Sequence, residues 1–320
     1  MAIIDMPLSQ LKEYKGLSKL PDDFDSFWNS ELENLKDIKV NVELIESDFK
    51  SPYAKCYDLY FTGTGGSRIY AKFLLPKYFE GRLPAIIEFH GYQGKSADWA
   101  TYLKYVANGM CVVAMDCRGQ AGKSEDRGVY KGITVKGHIV RGLVEGKEKL
   151  LYRDIFLDTA LLAQIVMEMN FIDESRVATT GGSQGGALSL VCAALEPRIK
   201  SVFTIYPFLS DFRRVLDLDL GGEAYDELKR YFKFIDPTHD TEEYIFDILS
   251  YIDVQNFAHR IKADITMATG LMDVICPPST QFAIYNKLEC NKDMIIYPEY
   301  GHEAINCGLE DKMYSWSLKI

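Results

Sequence analysis

The sequence predicts an α/β fold, with a mostly parallel central sheet, helices on both faces and a helical cap inserted late in the chain. Three observations carry this expectation. Residues 85–89, 111–115, 176–179, 201–205, 265–268 and 294–297 are short, near-continuous apolar runs, as strands buried on both faces require. Helical segments at about 97–108, 152–169, 184–195 and 277–289 separate most of them, and strands alternating with helices build a parallel sheet covered on both sides. At one strand-to-helix junction stands Gly181-Gly182-Ser183-Gln184-Gly185, a Gly-x-Ser-x-Gly frame in register for a tight turn.

The remaining elements follow in chain order. Residues 1–36 form an amphipathic lead-in: Pro21-Asp22-Asp23 signals a helix start, and Phe24, Phe27, Trp28, Leu32 and Leu35 follow at helical spacing as a packing stripe. Segments 40–45, 56–62 and 69–75 read as strands. The alternation of Tyr57, Leu59 and Phe61, and the turn at 63–67, make them an antiparallel edge. The helix at 152–169 is apolar over most of its surface and belongs deep against the sheet. The one after Ser183 has scarcely a polar face, which makes it central. Two stretches break the alternation. Residues 117–150 are a long glycine-rich connection; residues 207–261, aromatic and charged with helix-like patches at 223–234 and 242–249, read as a cap over the strand ends. With no repeat, low-complexity tract or linker, one domain over 1–320 with a cap insertion at about 207–261 is expected.

Composition narrows the function classes. Of 320 residues 47% are hydrophobic, enough for a large core, and the formal charge of 36 − 46 = −10 argues against nucleic acid or an anionic membrane as the main partner. Met1-Ala2-Ile3-Ile4-Asp5 lacks the basic start and apolar stretch of a signal peptide, and nothing approaches the roughly 18 apolar residues of a membrane span. The seven cysteines are scattered, with no C-x-x-C pair. That usage suits a reducing cytoplasm; neither a metal site nor a cofactor is expected.

The Ser183 frame is either an idle Gly-rich turn or a nucleophile. A serine hydroxyl attacks only with a base beside it and a carboxylate to orient that base. In this architecture both should come later in the chain, acid before histidine, on loops at the same end of the sheet. His302 directly follows the last strand candidate; His90 stands at a strand end but precedes the serine and reads as scaffold or oxyanion-loop residue. His138, His239 and His259 lie in connections or the cap. Asp273 just follows the strand at 265–268; Asp253 in the cap is a weaker rival, and Asp264 lies at the strand's wrong end. The N–H of Gln184 faces any oxyanion formed at Ser183. A second donor should come from the loop His90-Gly91-Tyr92-Gln93-Gly94, where the Tyr92 N–H can serve and its ring would narrow the acyl site, unless that tyrosine only caps the sheet.

Taken together, His90-Gly91-Tyr92, Arg118-Gly119-Gln120, the run from Gly181 to Gly186 and His302-Glu303 resemble the acetyl xylan esterase and cephalosporin C deacetylase group, the seventh carbohydrate esterase family. Gly270-Leu271-Met272-Asp273 followed by Cys276-Pro277-Pro278-Ser279-Thr280 is similar to that family's acid loop. The segments 153–159, 196–199 and 251–256 resemble it too, so the likeness covers about residues 1–310. The resemblance implies an α/β-hydrolase fold, with Ser183 as nucleophile, His302 and Asp273 as its partners, and the N–H groups of Tyr92 and Gln184 as oxyanion hole. It further implies deacetylation of short acetylated xylo-oligosaccharides and of cephalosporins, in a cytoplasmic homohexamer. The enzymatic rival is a serine peptidase of the prolyl-oligopeptidase kind, which usually adds a repeat-built propeller; a non-catalytic hydrolase-fold binding protein should have a broken triad.

Overall fold

The structure, a computed structural model, describes residues 4–131 and 137–320. The first three residues of the lead-in and residues 132–136 of the glycine-rich connection lie outside the described residues. Nine strands form one sheet: β1 (Glu43–Glu46), β2 (Ala54–Thr62), β3 (Arg68–Pro76), β4 (Leu83–Phe89), β5 (Cys111–Met115), β6 (Ile172–Gly182), β7 (Ser201–Ile205), β8 (Asp264–Gly270) and β9 (Lys292–Tyr297). Their spatial order is β1-β2-β3-β5-β4-β6-β7-β8-β9. The first three strands run antiparallel and join β5 through β3, while β5, β4 and β6 to β9 pair in parallel. All nine strand segments read from the sequence are therefore present, with the antiparallel edge where it was expected.

The helices are α1 (Leu8–Leu11), α2 (Phe24–Leu35), α3 (Leu103–Ala107), α4 (Leu151–Glu168), α5 (Gln184–Leu195), α6 (Phe212–Asp217), α7 (Gly222–Phe234), α8 (Glu242–Leu249), α9 (Pro278–Lys287) and α10 (Leu309–Ser317). Two apolar layers sandwich the sheet. On one face α2, α4, α5 and α9 pack over Ala85, Ile87, Val113 and Val177; on the other α3 and α10 pack over Ile86, Val112, Ala178 and Phe203. This alternation follows from the pleat, which sends successive side chains to opposite faces. Every residue of α5 is buried, as its all-apolar sequence requires. In α4 the polar residues of the first turns, Arg153 and Asp154, keep to the rim while Asp158 is buried against Arg118. The α2 stripe packs as expected: Trp28 is fully buried and donates its indole N–H to the Tyr251 carbonyl.

Several elements differ from the sequence reading. β6 starts at Ile172 instead of 176, because Asp173, Glu174 and Ser175 lie at the exposed end of the strand, where polar side chains cost nothing. The segment at 97–108 opens as a 3-10 turn (Trp99–Tyr102) before α3. β1 is short and exposed along its length. The insertion between β7 and β8 is helical, carrying α6, α7, α8 and a 3-10 segment (Val254–Arg260). Its α7 begins against the loop after β8, where the Gly221 N–H donates to the Val274 carbonyl at 2.8 Å. Among the described residues there is one sheet and no propeller.

Candidate active site

Ser183 occupies the single position between the end of β6 and the start of α5, with φ 56° and ψ −119°. A positive φ costs a non-glycine residue about 1–3 kcal/mol and persists only where the surroundings impose it. Here they do. The Ser183 N–H donates to Ile205 (2.9 Å), and its carbonyl accepts from Ala187 (3.0 Å) and Phe208 (3.1 Å). The flanking glycines let the chain come this close: a Cβ on Gly185 would lie 1.9 Å from the Phe89 carbonyl oxygen, and one on Gly181 2.5 Å from the same atom. The turn thus raises the Ser183 side chain over the carboxyl ends of β4 and β6.

His302 lies in the loop after β9, and Asp273 in the loop after β8, so adjacent parallel strands deliver all three groups to one edge of the sheet. The His302 Nε2 is 3.0 Å from Ser183 Oγ, and its Nδ1 is 2.8 Å from Asp273 Oδ2. Asp273 has no exposed surface. Its Oδ1 accepts the N–H groups of Ile275 and Cys276, both at 2.8 Å, and the Gln281 amide approaches Oδ2 at 3.4 Å. Those donors fix the plane of the carboxylate, which orients the imidazole with its Nδ1 proton toward Asp273 and its Nε2 lone pair toward the serine. The Tyr206 ring packs on His302 with centroids 4.6 Å apart.

The rival residues go elsewhere. His90 donates from Nδ1 to the Gly91 carbonyl (2.7 Å) and accepts the Cys117 N–H at Nε2 (2.9 Å); burial pushes its pKa down, so it is a neutral brace of the loop that carries Tyr92. His138 is tied to the Gly119 carbonyl, His239 pairs with Glu242 and stacks on Phe232, and His259 pairs with Asp25. Asp253 is buried below α6, accepting the Asp211 and Gln255 N–H groups, and Asp264 opens β8 at the opposite end.

Around the serine, Gln184 is fully buried. Its side-chain oxygen accepts from Tyr152 (2.8 Å) and Gln120 (2.7 Å), and its amide approaches the His90 carbonyl at 3.3 Å. This lashes the first residue of α5, whose N–H has no intrahelical acceptor, to the loop after β4. Among the described residues the Tyr92 N–H donates to no backbone group, and the neighbouring Gln93 is held at φ 59°. The Tyr92 hydroxyl donates to Glu227 on α7 (2.7 Å), and its ring packs on Phe208. An open cleft of about 510 Å³ runs from Ser183 and His302 between Tyr92, Gln93, Glu223 and Ile275. A second, of about 440 Å³, leaves the same two residues along the α3 and α10 side past Glu88, Lys95 and Tyr206.

Three residues of the site escaped the sequence reading. Glu227, buried on the apolar stripe of α7, accepts the N–H groups of His138 (2.9 Å) and Val140 (3.0 Å) besides the Tyr92 hydroxyl; an acid on an apolar face was the available signal. Tyr206 could have been found only by its place just after β7. Cys276 is fully buried, and burial pushes its thiol well above the ordinary range, so it stands as a neutral thiol beside the Asp273–His302 pair. Together Asp273, Cys276 and His302 bring a carboxylate oxygen, a sulfur and a ring nitrogen within 4.8 Å of one another. The expectation of no metal ligands was drawn from chain spacing, which does not reveal this cluster.

Comparison with known proteins converges on one family. The chain matches the acetyl xylan esterase (AXE1) family over residues 1–320. The crystal structure of acetyl xylan esterase 1 from Thermoanaerobacterium superposes with a TM-score of 0.96 at 52% identity, covering 98% of this chain and 99% of that one. An acetyl xylan esterase from Paenibacillus gives 0.91 at 36% identity, with 98% and 99% covered. The acetyl esterase Axe7A of Xylanibacter ruminicola is 28% identical over 298 residues, 90% of this chain; the chain spans 65% of that esterase's length. Its fold is the α/β-hydrolase fold of these neighbours. A match over the whole length, on a fold superposable end to end, makes this chain a member of the acetyl xylan esterase family.

Proposed function

We propose that the protein is a carboxylic ester hydrolase, a serine esterase that removes acetyl groups from short acetylated xylo-oligosaccharides and from cephalosporins. The observation that carries the mechanism is the unbroken line from Asp273 Oδ2 through His302 to Ser183 Oγ, with links of 2.8 and 3.0 Å. Ser183 attacks the acetyl carbonyl while His302 Nε2 takes its proton. The tetrahedral oxyanion is held by the N–H groups of Gln184 and Tyr92, at the positive end of α5. His302 then returns the proton to the leaving sugar oxygen, and water, activated by the same imidazole, releases acetate. Asp273 keeps the imidazole in its working tautomer and stabilises the imidazolium.

Family membership at 52% and 36% identity supports the acetylated-sugar reading, and the Tyr92 ring beside the cleft supports a small acyl group. On the same family grounds we read 1–320 as one catalytic domain with its cap at 207–261, working as a homohexamer. The seven unpaired cysteines suit a reducing cytoplasm. The deciding experiment sets the wild type against Ser183→Ala on acetylated xylo-oligosaccharides, cephalosporin C, a butyrate ester and a dipeptide anilide. Hydrolysis of the two acetyl esters, lost by roughly 10⁴-fold or more in the variant, is the expected result. Retention of activity by Ser183→Ala removes the nucleophile, and preference for the anilide turns the reading toward a peptidase. Light scattering at the mass of one subunit would remove the hexamer.

A further inference from the structure

Cys276 has no part in the acyl transfer just described, yet its sulfur stands beside the histidine and carboxylate that serve it. Its sulfur lies within 4.8 Å of an Asp273 oxygen and a His302 ring nitrogen, and His302 Nε2 is in turn 3.0 Å from Ser183 Oγ. A buried thiol, with an imidazole and a hydroxyl that line the clefts in front of it, offers donors of the kind that soft and borderline divalent cations select. We propose that the reaction centre is also an inhibitory site for such cations, Zn²⁺ first, bound by Cys276 Sγ and His302 Nε2 with Ser183 Oγ as third donor.

One pair of these donors already stands near the spacing that a tetrahedral ion needs. Bonds of about 2.3 Å to sulfur and about 2.0–2.1 Å to nitrogen or oxygen set ligand atoms about 3.3–3.6 Å apart. The His302 Nε2 and Ser183 Oγ stand 3.0 Å apart as they are. The Asp273 carboxylate on Nδ1 completes the arrangement: a histidine that donates its other N–H to a carboxylate presents a fixed, more basic lone pair to a metal. Of the two ring nitrogens, Nδ1 is engaged inside the protein, while Nε2 and the serine oxygen border both clefts and can be reached from solvent. Binding forms the S–Zn, N–Zn and O–Zn bonds and breaks the Cys276 S–H bond, whose proton leaves to solvent; nothing is oxidised or reduced. A bound ion takes the Nε2 lone pair that must accept the serine proton, so it stops turnover. The fourth coordination position faces the cleft and is open to water.

The test uses the full-length protein with Zn²⁺, and Co²⁺ as a coloured substitute. Zn²⁺ should inhibit acetate ester hydrolysis in competition with substrate while Mg²⁺ at equal concentration does not, and Co²⁺ should give a thiolate-to-cobalt charge-transfer band in the near ultraviolet. Cys276→Ala should weaken inhibition by tenfold or more and abolish the band, whereas Cys307→Ser, at an exposed thiol away from the cluster, should change neither. Inhibition that is unchanged in Cys276→Ala, or a wild-type cobalt complex without the thiolate band, overturns the proposal. Should Cys276→Ala fail to fold, the wild type decides: a band that survives organophosphate modification of Ser183 puts the metal elsewhere. The cobalt band requires no turnover, so a failure of the esterase reading and a failure of the metal site remain distinguishable.

Discussion

The turn around Ser183 predicts a graded penalty for adding one methyl group. A Cβ on Gly185 would sit 1.9 Å from the Phe89 oxygen and 2.7 Å from its carbonyl carbon. Carbon and oxygen need roughly 3.2 Å, so about 1.3 Å must be found. Phe89 cannot supply it, since β4 is bonded to β5 on one side and β6 on the other. The first turn of α5 must move instead, and it carries Ser183. A displacement of about 1 Å costs on the order of 10²-fold in rate, and the overpacking itself about 1–3 kcal/mol of stability or more. The other glycines rank by the same measure: Gly181 meets Phe89 and Gly185 backbone at 2.5 Å, Gly186 meets the Thr204 hydroxyl at 2.7 Å, and Gly182 meets nothing nearer than the Tyr206 ring, at 3.4 Å. Measured kcat/KM on an acetyl ester and the thermal midpoint should therefore fall furthest for Gly185→Ala, less for Gly181→Ala and Gly186→Ala, and least for Gly182→Ala. A Gly185→Ala protein with wild-type midpoint and a rate within threefold would refute the argument that backbone contact sets the turn.

Further outcomes follow from the neighbouring groups. Asp273→Asn should lower kcat by about 10⁴ through loss of the working tautomer, with the midpoint largely kept, as steady-state kinetics beside calorimetry would show. Glu227→Gln leaves too few acceptor lone pairs for the His138 and Val140 N–H groups and the Tyr92 hydroxyl; it should cost about 1–3 kcal/mol in urea denaturation and lower kcat more than it raises KM. Burial lifts the Asp253 carboxyl from 3.8 to about 7. Between those values the unfolded chain has released this proton and the native state keeps it, so stability falls as pH rises through the window, by about 1.4 kcal/mol per pH unit at most. Asp253→Asn should flatten that slope in urea midpoints taken from pH 4.5 to 7, and an unchanged slope would place the titration elsewhere.

Much of this was legible beforehand because apolar runs and glycine frames report local physics. The strands at 111–115 and 201–205 coincide with β5 and β7, since both lie inside the sheet and are mostly apolar. Legibility fails where an element is only partly buried or where partners are distant in sequence. β6 carries the polar Asp173 and Glu174 directly after its first residue, Ile172, which an apolar-run criterion must miss. α10 announces itself only through Leu309, Met313 and Trp316, which bury one side of an otherwise polar helix. For the site, strand-end logic reached Asp273 and His302, because a parallel sheet returns every carboxyl end to the same edge. It could not reach Glu227, whose partner Tyr92 lies 135 residues away, or Cys276, whose sulfur meets a His302 ring nitrogen 26 residues on (302 − 276).

The hydrogen bond from Tyr92 to Glu227 has a consequence for what can enter. One end belongs to the lid inserted between β7 and β8, the other to the loop proposed to steady the oxyanion. Swinging that insertion aside to thread in a long polysaccharide would pull the proposed oxyanion donor out of line with it. On the function proposed above, such a tie would favour oligomers slim enough to pass the insertion as it stands, and would leave the intact polymer to be shortened first.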